Sequence, residues 1–167
     1  YLFTLGIFGS ANDSGPAYEC LNAMLAALPP VKRAAYLGEV LISAEAPSLD
    51  DPLTTPLLAD IADAEVLLVV TPLPGGELPA RLQGLVEALN AAPPAARRRF
   101  VALVAIGDGA THGLWPLRHA LDLLEAECIG ELYVGAATDP DELIAEAVAL
   151  ARQAFSRAHH MFPDALV

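Results

Sequence analysis

Short apolar runs alternate with helix-length amphipathic segments along this chain, and no other feature restricts its possible folds as much. Four β-rich runs stand out: Leu2 to Phe8, Val66 to Thr71, Phe100 to Ile106 and Leu132 to Ala136. Taken alone, each fits either a strand or part of a buried helix, but Gly or Pro closes every one within a few residues, which favours strands. A less regular fifth run, Ala34 to Ile42, contains Gly38 and is read as strand two. The intervening segments repeat their apolar residues with a period near 3.6: Ala17 to Leu28, Thr55 to Ala64, Leu78 to Asn90, Leu114 to Glu127 and Asp141 to His160. Several of these carry helix-start chemistry, with Asp13 and Ser14 before Pro16, Thr54 before Pro56, and Asp139 before Pro140. Continuous apolar strands joined by crossover helices imply a parallel sheet covered on both faces, because each helix must bury its apolar stripe against it. The expected architecture is a three-layer α/β fold with a five-stranded parallel sheet, and the length of 167 residues suits a single domain, 1–167.

Composition narrows the function classes. With 54% hydrophobic and 18% charged residues the chain belongs among folded proteins, yet its longest apolar runs fall far short of the roughly 20 residues that cross a bilayer. Nine basic residues against 21 acidic ones give a net charge of −12, which repels nucleic-acid phosphates and anionic lipid, so neither nucleic acid nor membrane is expected as a partner. Cys20 and Cys128 belong to no Cys-x-x-Cys pair and are read as buried thiols. Together with the lack of a secretory signal pattern, this gives a cytoplasmic reading.

In an open parallel sheet, ligands bind beyond the carboxyl ends of the strands, where strand order reverses. Three loops at that edge are rich in Gly, hydroxyl and amide residues: Gly9 to Gly15, Thr71 to Pro79 and Gly107 to Gly113. The first enters a helix, so its backbone N–H groups and the helix dipole suit an anion, with Ser10, Asn12 and Ser14 as added donors; the plainer reading is a helix cap at Asp13 or Ser14. Most basic residues stand at the opposite edge, where Lys32-Arg33 and Arg97-Arg98-Arg99 precede strands; only Arg81 and Arg118 fall near the carboxyl edge, and for both the plainer reading is solvated surface charge. Ser10, Asp108 and His112 invite a nucleophile, base and orienter reading, but no Gly-x-Ser-x-Gly elbow supports a hydrolase. The adjacent His159 and His160 point in different directions on a helix, which favours a solvated terminus over a metal site.

The second and third loops resemble those of the NAD(P)H-dependent FMN reductases. Thr71-Pro72, Gly76, Pro79 and Leu82 stand where that family reads Thr-Pro-Glu-Tyr-Asn-Gly-Ser-Ile-Pro-Gly-x-Leu, Gly107, Gly109 and Gly113 match its Gly-rich turn beside the flavin, and Gly9-Ser10 matches the start of its phosphate loop. The resemblance implies a flavodoxin-like fold with strand order 2-1-3-4-5. It places the FMN phosphate on the first loop with Ser10, Asn12 and Ser14, and the isoalloxazine against Pro72, Gly75, Gly76 and the turn from Gly107 through Gly109 and His112 to Gly113. NAD(P)H is then the co-substrate and a small molecule the electron acceptor, with the flavin doing the redox chemistry and no side chain required as acid or base. Departures from the family fall at Asn12 and Gly15 in place of Arg and Ser, at Leu73, Pro74 and Gly75 in place of Glu, Tyr and Asn, and at Gln83 in place of Lys. They carry the alternative reading, a flavodoxin-like protein that has lost flavin and serves as a binding or assembly module. A homodimer, or a homotetramer built from two, is also expected. In the third helix Leu82, Leu85, Val86 and Leu89 face the sheet, leaving Ala80, Gly84, Ala88 and Ala91 as a flat second face, and family members commonly associate near the flavin, beside Trp115.

Overall fold

The computed structural model describes residues 2–9, 15–29, 33–36, 54–107, 111–135 and 137–162. In chain order the elements are β1 (Thr4–Phe8), α1 (Pro16–Ala26), β2 (Arg33–Tyr36), α2 (Thr54–Asp63), β3 (Val66–Pro72), α3 (Ala80–Ala91), β4 (Arg99–Ile106), α4 (Trp115–Asp122), β5 (Ala126–Val134) and α5 (Pro140–Met161). The strands form one sheet in the order β2-β1-β3-β4-β5, and every neighbouring pair is parallel. Phe8 at the end of β1 is level with Val70, and β3 and β4 run two residues further to the level pair Pro72 and Ile106, so the three strands point their carboxyl ends to one edge. The order reverses between β1 and β3, which makes the carboxyl ends of these two strands the topological switch point.

The described residues of β1 and β3 are buried almost throughout, as a sheet covered on both faces requires. Side chains alternate between two cores. One holds Leu5, Ile7, Leu67, Val69, Val101 and Leu103 against α2, α3 and α4. The other holds Phe8, Val66, Leu68, Val70, Ala102 and Val104 against α1 and α5. On α5 the sheet-facing stripe is Ala147, Ala151, Ala154 and Ala158, all fully buried, and these small side chains let the 22-residue helix lie close to both the sheet and α1.

Three of the departures from the sequence reading have a plain physical origin. The fourth helix stops at Asp122 rather than running to Glu127, because Leu123 and Leu124 form a turn that Glu125 completes with φ 58°. Leu124 is nonetheless buried, and this extended the helical periodicity beyond the helix itself. The last strand begins at Ala126, six residues before the apolar run starting at Leu132. It is an edge strand whose residues from Glu127 onward are half-buried, so its first half carries Glu127, Gly130 and Glu131 without a continuous apolar signal. At α1 the N-cap position is Gly15, with φ 98° and no side-chain cap. Asp13 and Ser14 lie outside the described residues, as do Gly38 and the rest of the second run beyond Tyr36. Asp139 does cap α5, its carboxylate accepting from the Asp141 N–H at 3.2 Å.

Candidate flavin site

The chain leaves β3 through a short turn, Pro74–Gly76, that bends back towards β4. Its start is tied to the neighbouring strand by the Leu73 N–H, which donates to Ile106 O at 3.0 Å, and it closes when the Gly76 N–H donates to Leu73 O at 3.0 Å. Gly75 lies in the left-handed region with φ 64°, where a side chain is strained, and the position of its missing Cβ has no atom within 4 Å. Bare backbone therefore faces open space at the carboxyl edge. Leu73 itself turns inward and is buried.

The turn after β4 presses against this one. Gly107 donates its N–H to Val134 O at 2.9 Å, and a Cβ on it would come within 2.8 Å of Leu73 O. Gly113, in the turn Thr111–Leu114, approaches Gly76 so closely that a Cβ would overlap the Gly76 carbonyl. Glycine is thus required at both contacts by the approach of another backbone, and the two turns make one continuous surface. Beside them opens a cleft of about 750 Å³, bounded by Gly75, Gly76 and Gly113 from the turns, Gln83, Val86 and Glu87 from α3, and Pro116 from α4. At the switch point, Gly9 closes β1 against β3, its N–H donating to Val70 O at 3.0 Å, while a Cβ there would overlap Thr71 and come within 2.8 Å of Leu82 Cδ1.

Of the residues singled out from the sequence, Pro72, Gly75, Gly76, Gly107 and Gly113 are brought together at this edge. Ser10, Asn12, Ser14, Asp108 and Gly109 lie outside the described residues, and His112 is placed only as backbone within the second turn. Arg97 and Arg98 are at the amino edge, paired with Glu65 and Glu127 at 3.1 and 3.3 Å. Arg118 turns away from the turns to pair with Glu131 at 2.8 Å, and the same carboxylate accepts from Tyr133 OH at 2.9 Å. His159 and His160 end α5, with His160 Nδ1 2.8 Å from Ser156 O, and no group of three potential metal ligands occurs among the described residues. Both cysteines are free, Cys20 buried as expected and Cys128 only half-buried on the edge strand; burial pushes the Cys20 thiol up to about 11, and burial, then the Glu131 charge, raises that of Cys128. The sequence reading noted Gln83 only as a departure from the family's Lys and missed Glu87, one helical turn further on along the face that lines the cleft, although the i, i+4 spacing beside the second loop was visible.

Residues 4–141 match the NADPH-dependent FMN reductase family, and the chain belongs to it. That family's chemistry joins FMN to NAD(P)H as co-substrate. None of the curated proteins matches this sequence. Among solved structures, a flavone reductase superposes with a TM-score of 0.76 at 12% identity over 96% of this chain, which spans 64% of that protein's length. An azoreductase from Bacillus anthracis str. Sterne gives 0.66 at 14% identity, covering 92% of this chain and 99% of its own. A flavodoxin from Streptococcus pneumonia TIGR4 gives 0.67 at 16% identity, covering 93% and 99%. These likenesses establish a flavodoxin-like α/β fold.

The described surface suits FMN. A planar ring can lie flat against backbone that carries no Cβ, and Gly75 offers open space there while Gly107 and Gly113 keep the two turns in contact. A cation is present at the same edge as well: Arg81, in the first turn of α3, has a buried Nε with no hydrogen-bond partner.

Proposed function

We propose that this chain is an FMN-dependent oxidoreductase that takes electrons from NAD(P)H and passes them to a small organic acceptor. The observation that carries the reading is the joined surface of the turns after β3 and β4, where Gly113 meets Gly76 and Gly75 is bare. In this reading Pro72, Gly75, Gly76, Gly107, Gly109, His112 and Gly113 border the flavin ring, and Ser10, Asn12 and Ser14 donate to the phosphate end. Bound FMN supplies the redox chemistry. The protein holds the ring by backbone contact and keeps the cleft beside it, between Gln83 and Glu87 of α3 and Pro116 of α4, open to a second planar molecule. No side chain is needed to move a proton.

Burial of Leu73 favours the second reading, a flavodoxin-like module without flavin, because a side chain directed into the core provides no wall for the ring. Absorbance spectra of the purified protein with and without added FMN separate the two readings. Saturable perturbation of the flavin bands supports the oxidoreductase, and an unperturbed spectrum supports the module.

A homodimer also belongs to this proposal, with a changed contact face. Gly84 and Ala88 of α3 are buried within the subunit while Ala80 and Ala91 stay exposed, so the middle of the flat face read from the sequence is used internally. Trp115 and Leu123, 62% and 61% exposed, are the larger apolar side chains left uncovered on and just after α4, and burying them against a second copy is the natural means of covering them.

A further inference from the structure

We propose that Arg81 holds the phosphate of FMN, an inference that rests on the flavin reading above. The loop from Gly9 to Gly15 contains no Lys or Arg, and its one charged side chain is Asp13, which repels a phosphate dianion. A net charge of −12 disfavours an anionic cofactor, and a cation beside the phosphate offsets that repulsion. The topology leaves few sources. Arg97 and Arg98, entering β4, stand at the amino edge and are paired with Glu65 and Glu127, Arg118 is paired with Glu131, and Arg152 and Arg157 lie on α5, across the sheet from α3. Among the described residues Arg81 is the one basic side chain at the carboxyl edge that has no ion-pair partner.

Its position on α3 directs it to the switch point. Leu82, Leu85 and Leu89 face the sheet, while Gln83, Val86 and Glu87 face the cleft beside α4. Arg81 shares the remaining flank with Gly84 and Ala88, three and seven residues on, and this flank faces away from α4 towards β1, because β1 and β4 lie on opposite sides of β3. The adjacent Leu82 already touches the end of β1, its Cδ1 lying 2.8 Å from where a Gly9 Cβ would be. A guanidinium in this place has its Nε buried without an acceptor, a cost that a phosphate oxygen removes. It supplies from α3 the positive charge that the first loop lacks.

Titrating FMN and riboflavin separately into the purified protein, with quenching of flavin fluorescence as the readout, tests this directly, because riboflavin is FMN without the phosphate. Wild type should bind FMN more tightly than riboflavin. Arg81→Gln should weaken FMN about 10- to 100-fold and leave riboflavin within about twofold, while Arg81→Lys should fall between Gln and wild type for FMN. Equal weakening of both flavins, or an unchanged FMN affinity in Arg81→Gln, overturns the assignment. Should Arg81→Gln fail to fold, the wild-type preference and the Arg81→Lys variant decide: equal affinities for the two flavins in wild type, or no loss of that preference in Arg81→Lys, reject it while the flavin reading stands. If wild type binds neither flavin, this assignment and the oxidoreductase reading both fall.

Discussion

Arg99 enters β4 with its charge intact because the surrounding backbone provides acceptors for its guanidinium. Nε donates to Ile61 O at 3.0 Å, Nη1 to Leu124 O at 3.0 Å and Nη2 to Ala62 O and Ala95 O, both at 3.0 Å. One side chain thereby joins the end of α2, the segment entering β4 and the turn after α4. Arg99→Met removes every donor and leaves these carbonyls without them, and it should cost about 3–5 kcal/mol in urea unfolding, with Arg99→Lys losing less because the ammonium keeps three donors. A second prediction at this scale concerns pH. Burial holds the Cys20 thiol at about 11 in the folded protein against an ordinary 9.0. Burial, reinforced by the hydrogen bond to Glu131 and its charge, holds Tyr133 at about 12 against 10.0. Both groups favour the protonated form when folded, so their contribution is complete below pH 9 and is lost as pH rises towards 12. Urea midpoints measured across that range should fall, and Cys20→Ala should flatten the early part of the fall between pH 9 and 11.

The site depends on the contact between two turns, and its glycines were legible at residue level because glycine costs chain entropy on folding and gathers at the ends of apolar strands where backbone must approach another backbone or a ligand. Which glycine meets which backbone was not legible, since that depends on the register of β3 against β4. Gly113→Ala should force the turn after β4 away from Gly76 and lower FMN affinity at least tenfold, with a stability loss of about 1–3 kcal/mol in urea unfolding. Gly75→Ala meets no atom, so its cost should be limited to the left-handed backbone, about 1 kcal/mol, while the added methyl occupies the ring's approach. The end of α4 and the start of β5 were misread for a related reason. Periodicity reports burial rather than hydrogen bonding, so buried Leu124 extended the helix, and a half-buried edge strand bearing Glu127 and Glu131 presented no apolar run until Leu132.

For the whole molecule, the α/β alternation was legible because each crossover helix must cover a strand pair, and the packed faces of the sheet show that requirement met. The surface left over was not legible: helical spacing marked Ala80, Gly84, Ala88 and Ala91 as one face, yet Gly84 and Ala88 are buried within the subunit. Light scattering at micromolar concentration should give the mass of a dimer, and Trp115→Glu should shift it towards a monomer; an unchanged dimer would move the interface away from α4. The central claim is that the turns after β3 and β4 present a flavin to a nicotinamide, and anaerobic spectroscopy of the FMN-loaded protein tests it most directly. FMN should bind saturably at one per chain, and NADPH or NADH should then bleach its visible bands faster than those of free FMN. Bands that titrate as free FMN, or a bound flavin that neither nicotinamide bleaches faster than it does free FMN, would contradict the account.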